Sequence, residues 1–429
     1  MKKILFILYT CCILSFPVSA QQIPSFKAND RIVFLGNSIT EGGHYHSYIW
    51  LYYMTHFPNL PLRMYNGGIG GDCVSHMVYR FDSDIKIKKP TYLICSFGMN
   101  DSGFDGYNKP GYDKYANQQV EYAHTEFEKL QRQILADKKI KSVVLLGSPP
   151  YDENVKLKGV EALHGKNETI KRIIEMQAEV AQKRGWGFVN FNTVMCGLNK
   201  QIQLSDSTAT FCGGDRIHPD KDGHMVMAYL FLKAQGLAGQ EIASFQINAT
   251  NRKAMEERNC RISHIKNEND TISFRYLSRS LPFPIDTIPR WGTKGTARDA
   301  IRQIPFMQEM NQEIMKVTDL HGIFRVTIDG IEIGCWSGDE LSKGVNLAEI
   351  TCTPQYQQSL SIMYLNEERC AIEKRLRQYM AMQYVFFKHR GLLFADNKAA
   401  LDAAKAERES HYLVKWFFVK FGGTSSIAV

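Results

Sequence analysis

The 429-residue chain has no run of lysine and arginine interleaved with stacking aromatics, no Cys-x-x-Cys pair, no cysteine and histidine at zinc spacing, and no internal repeat. The first absence argues against a nucleic-acid partner, which needs clustered cations beside stacking rings. The second and third remove the usual structural zinc sites, and His44-Tyr45-His46 is too sparse a signal to imply a metal. Low-complexity bias is missing too. With 44% hydrophobic and 22% charged residues the chain has the balance of a folded globular protein. At this length one ordinary core does not suffice, so two domains, or one with a large appendage, are expected.

The apolar run in "MKKILFILYTCCILSFPVSAQQ" is short for a bilayer span. It follows two lysines and ends in the small residues Ser19 and Ala20, which reads as a secretory signal peptide cleaved after Ala20. The expectation is a secreted or periplasmic protein with no stable membrane span after cleavage. Loss of Lys2 and Lys3 with the leader takes the formal net charge of +8 down by two. The remaining scattered lysines describe a solvated face. Eight of the ten cysteines lie beyond the leader, an even number that permits disulfides without fixing their pairing. Cys95, inside "TYLICSF", reads as a buried free thiol.

Between about Lys27 and Gly239 the short apolar runs "RIVFL", "LRMYN", "TYLICSF", "SVVLLG" and "WGFVNF" alternate with segments of helical period. That rhythm predicts parallel strands joined by crossover helices. Ile170, Ile173, Ile174, Ala178 and Ala181 share one face of such a helix, and Gly185 follows as its stop. After Gly239 the pattern changes. Phe324, Val326 and Ile328 alternate up to Asp329-Gly330, and Ile331 and Ile333 alternate beyond it, which predicts a hairpin with a type I′ turn. From Pro354 to about Ser410 the sequence is charged and helical in period, and "ALDAAKAERES" consists almost entirely of strong helix formers.

Polar and glycine-rich stretches recur at the carboxyl ends of the predicted strands: "GNS", "NGGIGGD" and "GMND". In an open α/β sheet ligands bind at that edge. Ser38 in "GNS" has a simple reading as a helix N-cap. Downstream, "GGDRIHPDKDGH" holds Asp215 and His218 three residues apart, and Pro219 biases His218 toward an extended or turn conformation. A hydroxyl, an imidazole and a carboxylate are the groups that nucleophilic acyl transfer requires. The backbone N–H groups of Ser38 and Gly71 and the side-chain amide of Asn100 are candidate donors to an oxyanion, and glycine at 71 permits close backbone approach.

In this order the segments resemble the four blocks of the SGNH (GDSL-type) hydrolases. Gly36-Asn37-Ser38-Ile39-Thr40 is similar to the nucleophile block, Gly71 to the second-block glycine, Asn100 to the third-block asparagine, and Asp215 with His218 to the last block. The resemblance spans roughly Ile32 to Gly236, about half the chain. It implies a flavodoxin-like three-layer α/β/α sandwich with a parallel sheet, esterase or acyl-hydrolase activity, and no cofactor. One departure is Asn37, where many members carry aspartate. The expected organisation is a leader over 1–20, an SGNH-type catalytic domain over 21–240, and a smaller extension over 241–429, β-rich to about 350 and helical after it. Similar extensions occur on some secreted bacterial members.

The function this implies is a secreted serine esterase that removes small acyl groups, acetyl foremost, from carbohydrate through Ser38, His218, Asp215 and an acyl-enzyme. The expected partner is a small-molecule or polysaccharide ester. A lipase or lysophospholipase would need a long apolar groove, and no lid helix is evident. A non-catalytic glycan-binding protein would need to have lost chemistry whose residue types are all present. Tyr45, His46, Tyr48 and Trp50 are candidates for a pocket wall, with helix packing the competing reading for Tyr48 and Trp50.

Overall fold

The computed structural model describes residues 23–268, 271–288 and 295–415; the leader expected over Met1–Ala20 lies outside them. The five apolar runs form parallel strands, β1 (Arg31–Gly36), β2 (Arg63–Gly68), β3 (Tyr92–Phe97), β4 (Ser142–Gly147) and β5 (Gly187–Asn190). Their order across the sheet is β2-β1-β3-β4-β5, the flavodoxin-like arrangement. Successive strand residues point to opposite faces. Ile32 and Phe34 therefore enter one core while Val33 and Leu35 enter another, and β3 is buried along its whole length.

The layers are supplied by α1 (Ser38–Gly42), α2 (His44–His56), α3 (Val74–Arg80), α4 (Tyr112–Ala136), α5 (Lys166–Arg184), α6 (Phe191–Gln203) and α7 (Lys221–Ala234). Residues of α2, α6 and α7 fill the first core, and those of α3 and α4 the second. Helix α5 serves both, with Ile170 and Ile174 in the first and Ile173 and Met176 in the second. It ends at Gly185, in a left-handed conformation, as its sequence predicts.

A second group of strands follows: β6 (Ala243–Asn248), β7 (Lys253–Arg258), β8 (Cys260–Glu268), β9 (Thr271–Ser278), β10 (Glu313–Thr318), β11 (Ile323–Ile328), β12 (Ile331–Ser337) and β13 (Val345–Asn346). They make a sheet in the order β13-β10-β6-β7 and two hairpins, β8-β9 and β11-β12. Phe245, Ile247, Met315 and Val317 belong to a core of their own. Ile328 pairs with Ile331 across Asp329 and Gly330. Both turn residues have positive φ, 50° and 81°, as a type I′ turn demands.

The short helices α8 (Ala297–Ile301) and α9 (Phe306–Met310) precede β10, and α10 (Gly338–Lys343) follows β12. Phe283, Ala297, Ala300, Phe306 and Met310 are fully buried in the first core. The change of pattern near residue 240 thus marks a change of sheet and not the edge of that core.

Helix α11 (Pro354–Ala381) and α12 (Lys398–Ala406) close the described chain. Thr353 caps α11 and Pro354 opens it, where a missing N–H costs nothing. α11 runs back over α2 and the β2 edge. Asn366 Nδ2 donates to Ser47 Oγ at 2.8 Å, and the Asn66 N–H donates to Glu373 Oε1 at 2.7 Å. Arg377 places two nitrogens on the Asp84 carboxylate at 2.7 and 2.8 Å and its Nε on the Gly68 carbonyl at 2.9 Å. Asp84 is also held by Arg80 at 2.6 Å, and Arg80 bonds Asp72 and the carbonyls of Gly36 and Gly67. Two arginines and two carboxylates, all buried, thus tie the C-terminal helix to the ends of β1 and β2. The eight cysteines among the described residues are all free thiols, Cys95 fully buried among them.

Candidate active site

Strand β1 ends at Gly36, and Asn37 turns the chain into α1. The Asn37 side-chain oxygen accepts the Ile39 N–H at 3.1 Å. Asn37, not Ser38, is therefore the N-cap, which corrects the simple reading of Ser38 and shows that the departure at 37 keeps a capping oxygen. Amide and carboxylate oxygens cap equally well. Ser38, the first residue of α1, is left with its hydroxyl free to bond elsewhere.

That hydroxyl lies 2.8 Å from His218 Nε2, across 180 residues of sequence. His218 Nδ1 lies 2.6 Å from Asp215 Oδ2, while Asp215 Oδ1 accepts the N–H groups of Ile217 and His218, both at 2.9 Å. A carboxylate on Nδ1 fixes the proton there and leaves Nε2 as acceptor for the serine O–H. Burial alone would raise the Asp215 pKa. The bonds from the His218 ring and backbone, the His218 charge and the Ile217 N–H outweigh it and hold the carboxyl below its ordinary value.

The loop carrying both residues is anchored from beneath. Arg216 is buried with φ of 71°, and its guanidinium donates to the carbonyls of Asp152, Val155 and Val160 at 3.0, 2.6 and 2.8 Å. Gly213, also at φ 71°, passes so close that a Cβ would stand 2.0 Å from the His218 carbonyl oxygen. Only glycine meets both demands.

The loops after β2 and β3 flank the Ser38 turn because those strands are the neighbours of β1. A Cβ on Gly70 would lie 4.0 Å from that of Ser38. Asn100 Nδ2 donates to the Asp72 carbonyl at 3.0 Å, and the Asp101 carboxylate accepts the N–H groups of Val74 and Gly98 at 2.7 and 2.8 Å. Gly71 has φ of 81°, with nothing within 4 Å of where a Cβ would be. The reason for glycine at 71 is thus its left-handed backbone; the close approach expected of it is not to other protein atoms. Ser38 N–H sits in the first helical turn, where no intrahelical acceptor exists. Glu41 buttresses the same region by accepting the Gly70 N–H.

A cavity of about 290 Å³ opens between Ser38, His44 and His218 on one side and Cys370, Ala371 and Lys374 of α11 on the other. His224 also borders it. Burial, reinforced by His44, His46, His218 and Lys374, pushes the pKa of His224 well down. That suits its Nδ1, which accepts the Tyr45 N–H at 3.2 Å. Burial likewise lowers Lys374, with Glu41 opposing.

Tyr45, His46 and Tyr48 do not line this cavity. They are nearly inaccessible, Tyr45 and Tyr48 in the first core and His46 against Phe34, while Trp50 lies 4.1 Å beneath the Arg369 guanidinium. Sequence reasoning missed His44, whose place at the first turn of α2 keeps it on the open side. It also missed the α11 residues, for which no local signal exists.

Residues 34–226 match the GDSL-like lipase/acylhydrolase family, and residues 360–421 match a domain described as the diltiazem deacetylase C-terminal helical domain. A solved structure of a gut microbial diltiazem-metabolizing enzyme is 47% identical, with a TM-score of 0.90 over 93% of this chain and 90% of that one. The chain belongs to the GDSL-like (SGNH) hydrolases. It is a carboxylic ester hydrolase of that family with a C-terminal helical domain. An acetylxylan esterase from Geobacillus stearothermophilus is 23% identical over 224 residues, 49% of this chain and 95% of that protein. A solved acetylxylan esterase from the same organism is 21% identical over 49% of this chain and 95% of that one, with a TM-score of 0.39. The SGNH hydrolase match over 34–226 contains Ser38, Gly71, Asn100, Asp215 and His218, and the helical-domain match contains all three α11 residues at the cavity.

Proposed function

We propose that the protein is an exported deacetylase that removes acetyl groups from carbohydrate esters by serine catalysis. The observation that carries this reading is the continuous chain of short bonds from Ser38 through His218 to Asp215, opening on a cavity that α11 walls off. Ser38 Oγ attacks the ester carbonyl as His218 Nε2 takes its proton, and Asp215 holds the imidazole and stabilises its charge. The Ser38 and Gly71 N–H groups and Asn100 Nδ2 receive the oxyanion. His218 then protonates the departing alcohol, and water, activated by the same imidazole, releases acetate from Ser38. The sequence needs no cofactor.

The name of the matched helical domain and that of the acetylxylan esterase both support acetyl as the acyl group. A cavity of about 290 Å³ bounded on one side by α11, rather than a long apolar groove, favours this over the lipase reading. The leader over Met1–Ala20 supports export, with Gln21 the expected mature N-terminus. Acetylated xylo-oligosaccharides and 4-nitrophenyl esters of two to twelve carbons test the reading. Acetate release should be highest for the acetyl esters and fall steeply beyond about four carbons, and Ser38→Ala and His218→Ala should abolish most of it with circular dichroism unchanged. Full activity in Ser38→Ala would refute the serine mechanism. A preference for long chains would hand the function to a lipase.

A further inference from the structure

Lys166 is the most unusual charged residue among those described. It is the first residue of α5, where a cation meets the positive end of the helix dipole, and it is completely buried. Both conditions are costly for a lysine, yet nothing in the relay described above uses it. Its amino group donates to the Met99 carbonyl at 2.8 Å, the Ser102 hydroxyl at 2.6 Å and the Gly103 carbonyl at 2.5 Å. The Phe104 ring lies 3.7 Å from it. Every one of these contacts falls on a single loop, residues 99–104, and that loop presents Asn100.

One bond acts directly on a peptide plane that flanks Asn100, and another acts on the far side through Gly103. Met99 C=O belongs to the peptide that supplies the Asn100 N–H. On the other side the Gly103 N–H donates to the Asn100 carbonyl at 2.9 Å, and the Gly103 carbonyl in turn accepts from Lys166. The asparagine side chain has two amide hydrogens. One is spent on the Asp72 carbonyl, so the other can reach an oxyanion only if the main chain at 100 is held still. A water molecule at the same place has only two hydrogens for these three acceptors, and it would not be covalently fixed to α5.

We propose that Lys166 is a positioning residue that locks the Asn100 loop, so that the asparagine amide is aligned for the oxyanion before substrate arrives. This rests on the assignment of Asn100 as an oxyanion donor. Preorganised donors of this kind lose rate, not affinity, when they loosen.

A double-mutant cycle on an acetyl ester tests it. Asn100→Ala alone should lower kcat on the order of 10²–10³-fold. Lys166→Met should lower kcat roughly 10–100-fold with KM changed by less than about threefold, and should add less than about threefold once Asn100 is already alanine. Ser102→Ala, which keeps the lysine and the core, should show a smaller loss of about two- to fivefold that likewise vanishes in the Asn100→Ala background; it carries the test if Lys166→Met does not fold. Effects that multiply in the double variants, or an unchanged kcat in both single variants, overturn the positioning role and leave the esterase reading intact. An unchanged kcat in Asn100→Ala would remove the oxyanion assignment and the proposal together.

Discussion

At the scale of single residues, the site depends on backbone conformations as much as on reacting groups. Gly213→Ala would force a Cβ to within 2.0 Å of the His218 carbonyl oxygen at a φ that L-residues rarely adopt. Since His218 must give way, activity should fall by at least about tenfold while the overall fold, read by circular dichroism, survives; wild-type kinetics in this variant would show that the loop tolerates displacement. Lys166 carries a pH signature. Burial brings its pKa down to about 7, with Asp101, Cys73 and Glu153 opposing, against about 10.4 in an unfolded chain. Between those values the unfolded state binds the extra proton, so the stability contributed here rises with pH. The unfolding free energy of the wild type relative to Lys166→Met should therefore shift in favour of the wild type from pH 7 to pH 10, measured by urea titration. A flat difference would contradict the depressed value.

At the scale of elements, α11 is held by an ionic lock. Burial alone would raise the Asp84 pKa, but bonds and charge from Arg377, Arg80 and Lys88 hold it far below the ordinary carboxylate range. A lowered carboxylate contributes stability that is present above its unfolded pKa and is lost only as pH falls through the folded one, so α11 should stay docked in mild acid. Arg377→Met leaves Asp84 buried with one cation fewer, a loss of roughly 3–5 kcal/mol for comparable buried pairs. Hydrogen exchange should then accelerate along Pro354–Ala381, and kcat/KM should drop because Ala371 and Lys374 leave the cavity. Retained protection along α11 would show that its apolar contacts suffice without the lock.

The elements themselves were legible to different degrees. The parallel strands, the α5 stop at Gly185 and the Asp329-Gly330 turn follow from local chemistry: apolar runs, a glycine with positive φ and a two-residue hairpin loop. The burial of Tyr45 and His46 was not legible, and that of Tyr48 only as one of two readings, because α2 is covered by α7 on one side and by α11 on another, and a helix buried on several faces has no periodic stripe to read.

On the scale of the whole molecule, the two sheets share more than a linker. Phe283, Phe306 and Met310 come from beyond the first sheet yet are fully buried against it. Chains ended near Gly239 would expose the surface these side chains cover, at about 1.5–3 kcal/mol for each large apolar group. Such a fragment should be insoluble, or compact without fixed packing, as judged by near-UV circular dichroism and dye binding. A fragment with a cooperative melt and esterase activity would show the first sheet to be autonomous.

The sequence by itself marked the candidate residues, Ser38, Gly71 and Asn100 after apolar runs and Asp215 with His218 in a later polar stretch, and it predicted that those runs make a parallel sheet whose carboxyl edge binds ligands. Such motifs are local; the loops of Ser38, Gly71 and Asn100 meet because β1 lies between β2 and β3, whereas Asp215 and His218 reach Ser38 from the loop between α6 and α7. Only the tertiary structure decided what surrounds that chemistry. The cavity wall comes from a helix more than 300 residues after Ser38, and a lysine on α5 grips the Asn100 loop. These are pairings of distant segments through buried hydrogen bonds and ion pairs, and no pattern in either segment alone specifies its partner.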